Sequence, residues 1–197
     1  MALPPTPPPV IDATLVTLRP WRPDDIGAMA RAIAESVEHL RPWMPWVAAE
    51  PLSLADRTQL VAEFGRQWAT GESFVYGMFA GDGHGHGHGH GDRPVGGTGL
   101  HPRIGHGGLE IGYWVHPAWT GRGVATASTR ALTTAALALP EVVRVEIHHD
   151  RANAASRRIP EKLGYTLVAE VPEPPEAPAE VGIECRWRMT REEWESR

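Results

Sequence analysis

A single cysteine, Cys185, stands in the 197 residues, so an internal disulfide is excluded and a reducing compartment fits best. Within its alternating stretch Cys185 shares a face with Ile183, Trp187 and Met189, which suits a buried structural thiol better than a nucleophile. No apolar run is long enough to span a bilayer. The proline-rich start, Met1 to Val10, lacks the basic residues and apolar stretch of a signal peptide, and residues 1–13 read as a flexible tail. A basic face is missing too. The formal net charge is −5 with the signs interspersed, which disfavours a partner held through nucleic-acid phosphates. These absences together predict a cytoplasmic protein with neither a membrane nor a nucleic acid as partner. The chain shows no internal repeat and no second domain, and its length suits one compact core.

The β-favouring segment from Thr14 to Arg19 comes first. Asp24 then occupies an N-cap position, and Ile26, Met29, Ala30, Ile33 and Val37 follow at helical spacing. A stiff aromatic stretch, His39 to Pro51, holds Arg41, Trp43 and Trp46. Ser53 and Asp56 open a second helix with the stripe Leu60, Val61, Phe64 and Trp68, and Gly71 ends it. Phe74 to Ala80 and Val95 to Leu100 read as an antiparallel pair. Between them lies the His/Gly-rich run, residues 83–91, with His84, His86, His88 and His90 alternating with glycine.

In the next strand, Leu109, Ile111, Tyr113 and Val115 alternate with Glu110, Gly112 and Trp114. A long alanine-rich helix from Val124, a strand at Val143 to Ile147, a short helix from Asn153 to Gly164 and two final strands complete the order. That order predicts an α/β (α+β) domain over 14–193, with a mixed, mostly antiparallel sheet of six to seven strands and helices on both faces.

The most informative segment is Trp119-Thr120-Gly121-Arg122-Gly123-Val124-Ala125-Thr126. It joins a strand to a helix, where unpaired N–H groups and the helix dipole favour an anion. Gly121 and Gly123 let a phosphate approach the backbone closely. The Lys-Ser/Thr ending of a Walker loop is absent, and so is a G-x-G-x-x-G fingerprint.

With three further segments, this turn resembles the GNAT acetyltransferase superfamily, in its branch of ribosomal-protein N-terminal acetyltransferases. The segments are Leu18-Arg19-Pro20-Trp21, Glu110 to Val115, and Asn153-Ala154-Ala155-Ser156 leading to Glu161-Lys162-Leu163-Gly164-Tyr165. They stand in the family's order and spacing from about Leu15 to Thr190. Thr120 departs from the Arg or Gln that opens the family's pyrophosphate pattern.

The resemblance implies acetyl-CoA as donor substrate, no metal, and transfer to a primary amine by direct attack in a ternary complex. The acceptor would be a protein N-terminus, ribosomal proteins among them, or a small-molecule amine. Arg122, Gly123, Val124, Ala125 and Thr126 would hold the pyrophosphate. Trp114 and Val115 would flank the thioester, and Asn153 the pantetheine. Glu110 would be the general base and Ser156 the proton donor to the sulfur. A homodimer is implied by the resemblance alone. A non-catalytic acyl-CoA-binding or regulatory module on the same fold is the competing reading, and it predicts binding without turnover.

Plainer readings stand beside these roles. Glu110 suits a solvated strand position, and Asn153 with Ser156 suits an ordinary helix cap and first turn. Tyr165, weighed as the acid, suits packing after Gly164. Trp43 and Trp46 suit either a wall for a cationic amine or a plug at the core's edge. His116, His148 and His149 are alternative bases or merely polar strand ends. The histidine–glycine run has the donors for a metal, yet glycine supplies neither fixed spacing nor supporting bonds, so a hairpin loop is the better reading.

Overall fold

The computed structural model describes residues 6–81 and 93–197, so the reading of 83–91 as a hairpin loop lies outside the described residues. Eight strands form one sheet: β1 (Ile11–Asp12), β2 (Thr17–Arg19), β3 (Phe74–Ala80), β4 (Arg93–His101), β5 (Gly108–Val115), β6 (Arg144–Asp150), β7 (Thr166–Pro172) and β8 (Ile183–Thr190). Their spatial order is β1-β2-β3-β4-β5-β6-β8-β7. Every neighbouring pair is antiparallel except β5 with β6.

The strand beyond the expected six to seven is β1, which falls inside the proline-rich stretch read as a tail. Ile11 and Asp12 pair with Leu18 and Thr17, and Tyr76 Oη donates to Pro8 O at 2.8 Å. A two-residue strand has no period to read, and it is ordered by tertiary partners rather than by its own pattern.

Helices cover both faces. α1 (Ile26–Ala34), α2 (Val37–Leu40) and α3 (Leu54–Thr70) precede β3; α4 (Val124–Leu137) joins β5 to β6; α5 (Ala154–Leu163) follows β6, and α6 (Arg191–Glu195) follows β8. α1 and α3 bury Met29, Ile33 and Val61 against Trp21 and Phe79. The main core gathers Val124, Leu132 and Ala136 of α4 against Leu109, Ile111, Val145 and Ile147. The alternation along β5 divides these cores as expected, with Tyr113 and Val115 on the main core and Trp114 on the other. Cys185, Trp187 and Met189 are buried together, and burial pushes the Cys185 thiol up to about 11, in keeping with a structural role.

The N-cap position of α1 falls on Asp25 rather than the expected Asp24, and its side chain makes no cap bond into the helix. A 3₁₀ turn, Pro23–Asp25, precedes α1. Asp25 accepts the Arg22 N–H at 2.8 Å and a two-pronged bond from Arg19 at 2.7 and 3.0 Å, tying β2 to α1. In α3, Ser53 caps as expected by accepting the Asp56 N–H, and Gly71 closes the helix at φ 76°. Arg57 of α3 and Glu50 form a buried ion pair at 2.6 Å, which anchors the aromatic stretch that carries Trp43.

Candidate active site

The β5–β6 ladder holds only at its start, where Gly108, Leu109 and Glu110 pair with Arg144, Val145 and Glu146. Beyond Glu110 each strand keeps its outer partner, β4 or β8, and the two diverge. Two cavities meet at this divergence. The larger, about 430 Å³, runs from Trp114 and Val115 along the turn Thr120–Thr126 to α5. The smaller, about 250 Å³, lies over Glu110 and Gly112 and is walled by Glu173, Glu176, Glu180 and Glu184. Trp43, Met44, Tyr113, Asn153 and Ser156 line both.

The glycine turn has the geometry an anion needs. Gly121 and Gly123 lie at φ 71° and 84°, in the left-handed region. A Cβ at Gly121 would meet nothing within 4 Å, and one at Gly123 only Leu15 Cδ1 at 3.5 Å. The glycines therefore serve the backbone path and an open surface, not close packing. No side chain caps α4, so the N–H groups of its first turn point toward the cleft without intrahelical partners.

Gly123, Val124, Ala125 and Thr126 line that cleft. Arg122 is not among its walls; its guanidinium lies over Trp119, 5.1 Å from the ring centroid. Two cations that spacing along α5 could have indicated, Arg158 and Lys162, do line it. They stand four residues apart on one helix face. The cleft thus offers free N–H donors, cations and an apolar trough, the features a phosphate-ended thioester such as acetyl-CoA requires.

Asn153 and Ser156 combine a helix cap with a place in the cavity walls. Asn153 Oδ1 accepts the Ser156 N–H at 3.0 Å, capping α5, while both side chains border both cavities. Ser156 Oγ lies 2.9 Å from Tyr113 Oη. Burial pushes that phenol up to about 12, against the opposing effect of the Ser156 bond, so it stays protonated and able to donate. Tyr113 gave no sequence signal beyond its place on the core face. Tyr165 packs as expected, with its hydroxyl 2.6 Å from Thr133 Oγ1 and buried.

Trp43 walls both cavities. Trp46 borders neither and leans on Trp114, with ring centroids 6.2 Å apart. Glu110 is buried rather than solvated, and Arg103 grips both its oxygens, with Nε donating to Oε2 at 2.8 Å and Nη2 to Oε1.

The histidines separate by their bonds. His116 Nδ1 accepts the Ala118 N–H and Nε2 faces Glu35 at 2.9 Å, in a different depression. His149 Nε2 accepts the Trp187 indole N–H at 3.0 Å, so Nδ1 carries the proton and donates to Asp150 O at 2.8 Å. Both its nitrogens are taken. His148 borders the smaller cavity, with Nε2 2.8 Å from Glu146 Oε2. Burial works against the Glu146 charge, but the bonds from His148 and Arg188 hold its carboxyl below the usual range.

A mixed sheet opened between two parallel strands, with a glycine-rich helix start at the opening, defines an acyl-CoA-dependent transferase. Residues 16–166 match the family described as Acetyltransferase (GNAT) domain, and the chain belongs to that family; it is an N-acetyltransferase with acetyl-CoA as donor. "Putative ribosomal N-acetyltransferase YdaF" of Bacillus subtilis (strain 168) is 30% identical over 154 residues, covering 76% of this chain and 77% of that protein. Among solved structures, RimL, a ribosomal L7/L12 alpha-N-protein acetyltransferase in complex with coenzyme A, superposes with TM-score 0.78 at 17% identity. That match covers 92% of this chain and 97% of RimL. Mycobacterium smegmatis RimJ in complex with CoA-disulfide gives TM-score 0.75 at 22% identity, covering 96% and 89%. These two likenesses are of fold.

Among the described residues no helix is long and apolar enough to cross a membrane. No group of three or more histidine, cysteine or acidic side chains among them could hold a metal ion.

Proposed function

We propose that the larger cavity seats acetyl-CoA, the smaller seats the acceptor, and the acceptor is an amine with further positive charge nearby. The observation that carries this is their junction. A cleft suited to phosphates opens, past Ser156 and Asn153, into a chamber with five glutamates and one arginine, Arg103, in its wall. Such a chamber favours an ammonium and disfavours an acidic acceptor. Trp43 adds an aromatic face for the cation.

A basic protein N-terminus fits this chemistry, in keeping with the ribosomal activity in the name of the Bacillus relative; small polyamines fit it as well. The backbone from Gly123 to Thr126 would hold the pyrophosphate, with Arg158 and Lys162 beside it. Trp114, Val115 and Asn153 would border the pantetheine and thioester. The Ser156 hydroxyl, backed by Tyr113, would donate to the leaving sulfur, and Glu110 would supply negative charge at the acceptor amine. The cytoplasm is the compartment where this donor and these acceptors meet.

Calorimetric titration with acetyl-CoA, then a thiol-release assay over basic, neutral and acidic N-terminal peptides and small amines, tests the reading. Turnover confined to the cationic acceptors is expected, with kcat falling about 100-fold in Ser156→Ala at unchanged donor affinity. Binding without turnover on any acceptor would favour a non-catalytic module. Equal turnover on acidic acceptors would refute the role given to the glutamates.

A further inference from the structure

We infer that His148 takes the proton from the acceptor's ammonium, with Glu146 fixing the ring and Glu110 and Glu184 facing the charge it gains. This rests on the acetyl-transfer reading above and names the group that completes it.

Glu110 is poorly placed to receive the proton itself. Both its oxygens already accept from Arg103, so a proton arriving there would cancel the charge that the guanidinium pairs with. His148 is arranged differently. Glu146 is held as a carboxylate by Arg188, whose Nε donates to Oε1 at 2.8 Å, with Arg144 Nε at 3.3 Å. A carboxylate only accepts, so His148 Nε2 must carry the hydrogen that bridges them.

The neutral ring then keeps its lone pair on Nδ1. That nitrogen lies 3.6 Å from Glu110 Oε2 and 3.7 Å from Glu184 Oε2. These distances exceed a hydrogen bond, so neither carboxylate occupies the Nδ1 lone pair, while both face the position where a proton would arrive.

The charges facing the ring come from every element around it. Glu110 lies on β5, Glu146 on β6 and Glu184 on β8, with Arg186 Nε bonded to Glu184 at 2.6 Å. Arg188 is engaged with Glu146, and Arg103 with Glu110. Each of these guanidinium groups is thus already paired with a carboxylate. The ring sits two residues past the last β5–β6 pair, where the strands part, and it borders the acceptor chamber. His149 and His116 cannot substitute, since both ring nitrogens of each are engaged.

The step balances. The ammonium gives one proton to Nδ1, and the freed lone pair forms the N–C bond to the acetyl carbon. The C–S bond breaks with its electrons on sulfur. A second nitrogen-bound proton passes to sulfur, where Ser156 donates a hydrogen bond, and the third stays on the amide. His148 then returns its proton to water.

His148→Gln isolates the role, because the longer amide reaches the Nε2 position and can still donate to Glu146 while no lone pair remains at Nδ1. The assay is thiol release with a short peptide bearing a free N-terminus and a basic second residue. The expected result is a kcat about 100-fold lower or more, with acetyl-CoA affinity by calorimetry unchanged. The variant's kcat/KM should also rise about tenfold per pH unit with the free-amine fraction, where wild type levels off.

Glu146→Gln, the positioning variant, should lower kcat about tenfold at constant acceptor KM. A wild-type rate and pH profile in His148→Gln, or the tenfold-per-unit profile in Glu110→Gln instead, would overturn the inference. Should His148→Gln fail to bind acetyl-CoA and so prove misfolded, the smaller His148→Asn is read by the same two outcomes. Wild type that binds acetyl-CoA yet releases no thiol with any acceptor would overturn the acetyl-transfer reading as well.

Discussion

At the residue scale the site depends on which polar atoms are already occupied. His101, across the β4–β5 ladder from Glu110, shows the same logic on the stability side. Its Nδ1 is 2.8 Å from Ser73 Oγ, and burial, with Arg103 adding repulsion, pushes it down to about 4. It is therefore neutral when folded, whereas the unfolded chain protonates it at about 6.5. Below that pH the unfolded state binds more protons, so stability falls as pH drops from about 6.5 toward 4. Urea denaturation at pH 7 and pH 5 should show His101→Gln losing about 2 kcal/mol less than wild type over that interval. Equal losses would mean the imidazole is not held neutral.

Sequence made some of these residues legible and hid others for a physical reason. Ser156 and Asn153 were readable as candidates because a cap and a ligand contact use the same local pattern. Arg103, Glu184 and Tyr113 could not be assigned, because their roles come from partners far along the chain. His148 was readable as a candidate, but separating it from His149 needed the Trp187 indole 38 residues away.

At the element scale the start of α4 is where sequence and structure agree most closely. Its two glycines adopt left-handed φ, and its first-turn N–H groups lack a side-chain cap. Gly123→Asp would force a side chain into φ 84° and put a negative charge where the phosphates should lie. Calorimetry on the folded variant should detect no acetyl-CoA binding; unchanged affinity would remove this turn from the site. The long helices were legible because caps and apolar stripes are local, as Ser53, Val61 and Gly71 show. The error at Asp24 and Asp25 has the same root. Either aspartate fits a capping pattern, but Asp25 takes the N-cap position and spends its carboxylate on Arg19, brought over from β2, and on the Arg22 N–H.

At the scale of the whole molecule, the architecture followed from alternation and order, while the N-terminal strand escaped because Ile11 and Asp12 are held by β2 and Tyr76 rather than by a pattern of their own. The shape of the cavities could not be read from residue pattern, although the family resemblance pointed to residues of their walls. The cavities exist because two strands that begin as partners stop pairing after Glu110 and Glu146, and no local pattern encodes where a ladder ends.

That early end of the ladder bears on the cohesion of the fold. The sheet is two sub-sheets, β1 to β5 and β6 with β8 and β7, stitched by three residue pairs and by α4, which packs on both sides. The line between them is a mechanical seam whose facing backbone groups are satisfied by solvent or by whatever occupies it. A donor lying in that gap would act as a clamp as well as a reactant, stabilising the native state in proportion to the logarithm of its concentration. Amide hydrogen exchange should therefore slow on acetyl-CoA binding along residues 111–115 and 147–150 together, with the outer strands β2 and β7 unaffected. Slowing on one side alone would mean that the two sub-sheets breathe independently.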